Sequence, residues 1–286
     1  MARLVRETLP LNLKQFLVVT KILTHAIKHR GKTAVEAEDQ MLLAVAGEGG
    51  VGKTRVIKAV ERGFELLQRK EEVIKLAPTG AAAYNIRGRT LHTALAIDVF
   101  DRPRQTIKPQ VQSLWQGRST LFVDEISMVS LPMLNTINQQ CSKICSVGQD
   151  ATAALPVVVF MGDFHQFAPI SAQPLWQTPK IPRAVLGKAI WDRFTDVVTW
   201  TSLHAQQWKI LLRRRLVRQH DDCAFQGLLR RAKSGTITAE DVDLLNKQVA
   251  TSSPALRRHR LRLHHEVEQA PPPDEPLPDA TLRRGP

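Results

Sequence analysis

Hydrophobic and polar positions along this 286-residue chain follow two spacings. In "LNLKQFLVVTKILTHAIKHR" (11–30) apolar side chains recur every three or four residues, which predicts an amphipathic helix. "MLLAVA" (41–46) is instead a short unbroken apolar run, the pattern of a strand covered on both faces. "EVIKLA" (72–77), "TLFVDE" (120–125), "LPVVVFMGD" (155–163) and "DVVTW" (196–200) repeat that pattern. Helical segments are expected between them, from Gly52 to about Gln68, from "GAAAYNI" onward, and around Cys141 and Cys145. Strand, helix, strand with near-continuous apolar strands predicts an α/β fold, a mainly parallel sheet flanked by helices. Two helices, over 221–235 and 238–249, are expected to close the folded part. The second starts at Thr238 with Asp241 three residues on, a capping-box-like pair. The last 36 residues hold 7 of the 17 prolines, so 1–250 reads as one folded domain and 251–286 as a disordered tail.

Charge narrows the classes of partner. Forty Lys and Arg against 27 Asp and Glu leave +13, and the tail holds almost none of that excess. A basic folded surface favours a polyanion, nucleic acid before membrane. No apolar stretch is long enough to span a bilayer, and the N-terminus lacks the apolar segment of a secretory signal. Three cysteines suit a reducing compartment rather than a disulfide framework. Cys141 and Cys145 lack a second Cys/His pair at zinc spacing and read as packing residues.

The chemistry begins at "GEGGVGKT" (47–54), where Gly47, Gly52, Lys53 and Thr54 fit the G-x-x-x-x-G-K-[ST] phosphate loop. Gly47, Gly49, Gly50 and Gly52 let backbone N–H groups turn toward phosphates at a helix N-terminus. Lys53 would reach the β- and γ-phosphates of ATP, and Thr54 would hold Mg²⁺. Seventy residues on, "TLFVDE" ends in Asp124, suited to the Mg²⁺ shell, and Glu125, suited to deprotonating water. That second carboxylate argues for a hydrolase over a small-molecule kinase. A third strand ends in Gly162, Asp163 and Gln166, where a glutamine could report the γ-phosphate.

"LAPTGAAAYNIRGRTLHTAL", "LFVDEISMVS" and "VVVFMGDFHQFAPI" resemble successive motifs of the Pif-type (petite integration frequency) helicases, superfamily 1 ATPases. The resemblance runs from about residue 10 to 249 and implies a RecA-like phosphate-loop ATPase that tracks 5′ to 3′ on single-stranded DNA. It implies adenine contact by Gln15 in "LNLKQ", γ-phosphate sensing by Gln166, and approach of Arg218 to that phosphate. It further implies DNA contact by Pro78, Thr79, Gly80, Asn85 and His92, with Phe164 and His165 beside them. Tyr84, in the same segment, reads as a packing residue and is assigned no role. Genome maintenance, repair, recombination and telomere upkeep follow from the family, with a nuclear or mitochondrial location; protein partners are not readable.

Three departures qualify this. "TSLHAQQWKILLRRR" (201–215) separates the last strand from the Arg-Gln pair at 218–219. It is either a basic surface insertion carrying Arg213, Arg214 and Arg215 or an artefact of gene prediction that would displace Arg218. "HQFAPI" stands where the family has His-Gln-Leu-Pro-Pro-Val. Motifs of a second motor domain are not found, which implies a truncated motor. The competing expectation is therefore a catalytically weak nucleotide- and DNA-binding fragment without unwinding activity.

Overall fold

The computed structural model describes residues 2–30, 32, 35–145, 155–200, 227–228, 231–232 and 235–252. They fall in two compact units, 1–218 and 219–286.

The first unit is built on a six-stranded sheet. Its strands are β1 (Met41–Gly47), β2 (Val73–Ala77), β3 (Arg89–Thr90), β4 (Thr120–Val123), β5 (Val157–Gly162) and β6 (Asp196–Trp200). The order is β3-β2-β4-β5-β1-β6, and every pairing is parallel. The five expected strands are all present. β3 escaped the sequence reading because two residues carry no periodicity.

Helices cover both faces. α1 (Ala2–Thr8), α2 (Leu13–Lys28), α3 (Lys53–Leu66) and α4 (Gly80–Asn85) accompany one apolar cluster, in which Leu43, Val45, Phe122, Val159 and Met161 meet Ile22, Val56 and Phe64. α5 (Leu91–Ala94), α6 (Pro109–Trp115), α7 (Leu131–Cys145) and α8 (Pro182–Asp192) accompany the other, where Leu42, Ala44, Leu121, Val123 and Phe160 meet Leu134, Ile137 and Ile190. Alternate residues of β1, β2, β4 and β5 thus enter opposite clusters, which is why these strands read as near-unbroken apolar runs. Each such Val, Leu, Ile or Phe contributes about 1.5–3 kcal/mol through burial. The arrangement is the RecA-like one.

Local signals set the helix ends. Asn12 caps α2 with a reciprocal box: its side chain accepts from Gln15 N (2.8 Å), and Gln15 Oε1 accepts from Asn12 N (3.0 Å). Proline opens α6 and α8, where its missing N–H costs nothing. Cys141 is fully buried in the core, and burial pushes its thiol pKa well up.

In the second unit, α9 (Ala239–Ser252) is entered through the expected box. Thr238 Oγ1 accepts from Asp241 N (3.3 Å) and Asp241 Oδ2 accepts from Thr238 N (3.1 Å). Asp241 also receives Arg231 Nε at 2.6 Å. Of the helix expected over 221–235, residues 227–228 and 231–232 are helical. Residues 201–215, Arg218 and 253–286 lie outside the described residues.

Candidate functional site

Parallel strands bring their C-terminal ends to one edge, and the order places β5 between β1 and β4. The glycine loop, the Asp-Glu pair and the end of β5 therefore converge where open α/β sheets place ligands.

The loop leaves β1 at Gly47 and enters α3 through Gly52, whose φ of +94° is left-handed. The backbone conformation favours glycine there, and a Cβ would stand 2.5 Å from Gln15 Nε2 and displace that amide. Gly50 is left-handed too, at +81°. Lys53 Nζ donates to Gly47 O (2.6 Å) and Glu48 O (3.1 Å), curling back over its own loop. Gln15 is 5% exposed and lies behind the loop, with Nε2 3.3 Å from Val51 O. Both ends of its amide are thus engaged by backbone, at Asn12 and at the loop.

β4 delivers the carboxyls. Asp124 N donates to Leu76 O (2.9 Å), and Asp124 Oδ1 accepts from Glu125 N (3.0 Å). Glu125 is left-handed at φ 52°, ψ 44°, a conformation that costs a non-glycine residue about 1–3 kcal/mol and recurs at functional sites. The Asp124 carboxyl pKa is raised by burial, against lowering by Glu125 N–H and the Lys53 charge. That of Glu125 is raised by burial first, then by the Asp124 charge, with Lys53 opposing. Close approach from β5 depends on Gly162, where a Cβ would meet Ile126 Cγ2 at 2.9 Å and Ile126 N at 3.0 Å.

Asp163 joins the two halves, and the sequence reading gave it no role. It is 2% exposed; Oδ2 accepts from Gly49 N in the loop (3.1 Å), and Oδ1 accepts from His165 N (3.1 Å). Strand order is the information that would have singled it out. Gln166 Nε2 lies 3.2 Å from where a Cβ on Gly49 would stand, so this side chain overhangs the loop.

These donors fit magnesium and phosphate. Hard oxygens from the Thr54 hydroxyl and the Asp124 carboxylate, with one or two carboxylates in all, are what Mg²⁺ takes when phosphates complete its shell. Among the described residues no group of three or more His, Cys, Asp or Glu side chains gathers as a self-sufficient metal site.

Burying Asp124 has a measurable cost. Between the ordinary aspartate pKa of 3.8 and its raised folded value, the native state binds more protons than the unfolded chain. Stability therefore falls as pH rises through that window, and the full cost is present above it. Without nucleotide or metal, Asp124→Asn is expected to raise Tm at pH 7 by roughly 2–4 °C. Scanning calorimetry checks it, and an unchanged or lower Tm contradicts it.

A second group of candidate residues occupies the segment after β2. Pro78 and Thr79 lead into α4, and Thr79 Oγ1 accepts from Ala82 N (3.2 Å). Gly80 and Asn85 are exposed on that short helix, and His92 Nε2 pairs with Asp101 Oδ1 at 3.0 Å. Tyr84 is 84% exposed rather than packed, because six-residue α4 turns only its Ala82 and Ala83 inward. Arg87 and Arg89, exposed in the same segment, add cations that the motif reading passed over. Phe164 is half-buried, edge-on to Trp176 (5.7 Å) and Trp191 (5.8 Å), whereas His165 is exposed.

A family model described as PIF1-like helicase matches residues 12–243. The ATP-dependent DNA helicase PIF5 of Trypanosoma brucei brucei is 28% identical over 237 residues, 76% of this chain and 25% of its own length. Among solved structures, the Pif1 helicase of Candida albicans matches with a TM-score of 0.57 at 19% identity, over 84% of this chain and 48% of that one. A Bacteroides Pif1 helicase in complex with ADP-AlF3 and ssDNA matches with a TM-score of 0.53 at 22% identity, over 82% and 51%. At these identities the structural likeness speaks to the fold. The chain spans a quarter of the curated relative and about half of the solved ones. No described helix is long and apolar enough to cross a membrane.

Proposed function

The chain belongs to the PIF1-like helicase family, and from that membership we propose that residues 1–250 form the ATP-hydrolysing, strand-contacting domain of a 5′ to 3′ DNA helicase. The observation that carries the reading is the convergence of Lys53, Asp124, Glu125, Asp163 and Gln166 on one sheet edge, tied by the Asp163 contact to Gly49.

In this reading the 47–54 loop cradles the triphosphate of ATP, with Lys53 leaving Gly47 O and Glu48 O for the β- and γ-phosphates. Thr54 and Asp124 would hold Mg²⁺, which when bound neutralises phosphate charge. Glu125 accepts a proton from the attacking water as oxygen bonds to the γ-phosphorus and the β–γ bridge breaks, leaving ADP and phosphate. Gln166, overhanging Gly49, is placed to respond to loss of the γ-phosphate. Gln15 acts through the loop: its amide anchors Val51 and limits where the loop can move. Arg218 keeps the γ-phosphate role implied by its motif. The strand lies against Pro78, Thr79, Gly80, Asn85, His92 and His165, with Arg87 and Arg89 as added phosphate contacts. Phe164 serves to pack the end of β5. A nuclear or mitochondrial location accords with this work on DNA.

Unwinding needs two grips that move relative to one another, and the solved relatives are about twice as long as the matched region. The 286 residues alone are therefore proposed to bind ATP and single-stranded DNA and to turn over slowly. A strand-displacement assay on duplexes with 5′ or 3′ tails tests this. Single-strand binding with little displacement is expected; rapid displacement, or preference for a 3′ tail, overturns the proposal.

A further inference from the structure

On the face carrying α7 and α8 lies a groove of about 720 Å³, outside the nucleotide loop and outside the 78–92 segment. Among the described residues three cations line it, Arg104, Lys143 and Arg193, together with Asn138, Gln139 and Ser142, and no Asp or Glu does. A groove of cations and amides without a carboxylate suits a chain of phosphodiesters. Two acidic side chains on neighbouring segments are paired, Asp101 with His92 and Asp192 with Lys188.

Two further observations favour a ligand. Ser142, in the groove lining, is 6% exposed, and its Oγ has no hydrogen-bond partner among the described residues. Arg104 is an exposed cation on the strap over 96–104. That strap is held in shape: Asp98 Oδ1 accepts from Phe100 N and Arg102 N (both 2.9 Å), and Ile97 bridges Pro103.

α7, which lines the groove, is also tied to the strand-contacting segment. Gln140 of α7 donates through Nε2 to Leu95 O (2.8 Å) and Ala96 O (3.0 Å), the turn that ends the helix bearing His92. Thr136 Oγ1 of α7 reaches Asp101 O at 3.0 Å, and Asp101 holds His92. Between His92 and Arg104 the strap exposes Phe100 at 72%, with the Arg102 guanidinium over its ring at 4.9 Å.

We propose that this groove is a second phosphate tract for single-stranded DNA, taking up the strand after it passes His92 and lengthening the footprint beyond the 78–92 segment. It rests on the single-strand reading above. Arg104, Lys143 and Arg193 neutralise successive phosphates, and bases are not read.

Fluorescence anisotropy with oligothymidylates of about 6 and about 20 nucleotides tests it, because only the longer strand reaches both tracts. Arg104→Gln with Lys143→Gln is expected to weaken the longer strand about tenfold and to lower its log–log salt slope by about 1.4, two contacts at about 0.7 each. Affinity for the shorter strand and for ATP should stay within twofold. Single Arg104→Gln, at an exposed strap position, should lower the slope by about 0.7 and serves if the double variant folds poorly. An unchanged slope for the longer strand, while Asn85→Ala with His92→Ala weakens both lengths, overturns the groove and leaves the single-strand reading standing. Failure of the wild type to bind either length overturns both.

Discussion

Lys53→Ala is expected to reduce ATP turnover by roughly 10²–10³-fold, the loss that follows when a preorganised positive group facing developing charge is removed. Lys53 Nζ is already held at the mouth of the loop by Gly47 O and Glu48 O, so it need only exchange two carbonyls for phosphate oxygens. It is also the cation that lowers the pKa of both Asp124 and Glu125 against burial. Alanine removes the phosphate contact and leaves a buried and a half-buried carboxyl, Asp124 and Glu125, with less compensation. Phosphate-release kinetics, with thermal melting as a control for folding, measure the effect. Turnover within a few-fold of wild type would place the phosphate chemistry elsewhere.

Glu125→Gln separates binding from chemistry. The amide keeps the size of the side chain but cannot accept a proton from water, and positioned general bases are worth about 10²–10⁴ in rate. ATP affinity should change little while turnover falls by that factor. The acid limb of the wild-type profile should lie above the ordinary glutamate value of 4.5, because burial raises this group and it works only when ionised. The Asp124 charge adds to that rise in the free protein; a bound Mg²⁺ offsets this part and leaves the burial part. Equal losses of affinity and turnover in Glu125→Gln would contradict the assignment.

Most of the sheet was legible in the sequence because its strands are covered on both faces, which leaves unbroken apolar runs such as "VVVFMG". Motif spacing singled out Lys53 and Asp124, and the family resemblance Gln166, without any tertiary information. What stayed hidden was strand order. Nothing in the spacing says that β5 lies between β1 and β4, so Asp163 could not be seen as the link between loop and carboxyls. Short elements were hidden for another reason: α1 and β3 are too brief to establish a period, and α4, expected from "GAAAYNI", is too brief for its pattern to fix which side turns inward. Tyr84 was misplaced on that account, an aromatic read as packing that stands in solvent. Gln15 shows the limit of motif reading. Its position was given by "LNLKQ", but the engagement of its amide by Asn12 and Val51 belongs to the folded cap and loop.

The central claim is that nucleotide hydrolysis at the 47–54 loop is coupled to a DNA strand lying on the 78–92 segment. The most direct measurement is the rate of phosphate release at saturating ATP and Mg²⁺, with and without single-stranded DNA, for the wild type and for Asn85→Ala with His92→Ala. The account predicts a slow basal rate that the strand raises several-fold in the wild type, and a variant with the same basal rate and no stimulation. A wild-type rate indifferent to DNA, or a variant stimulated as fully as the wild type, would contradict it.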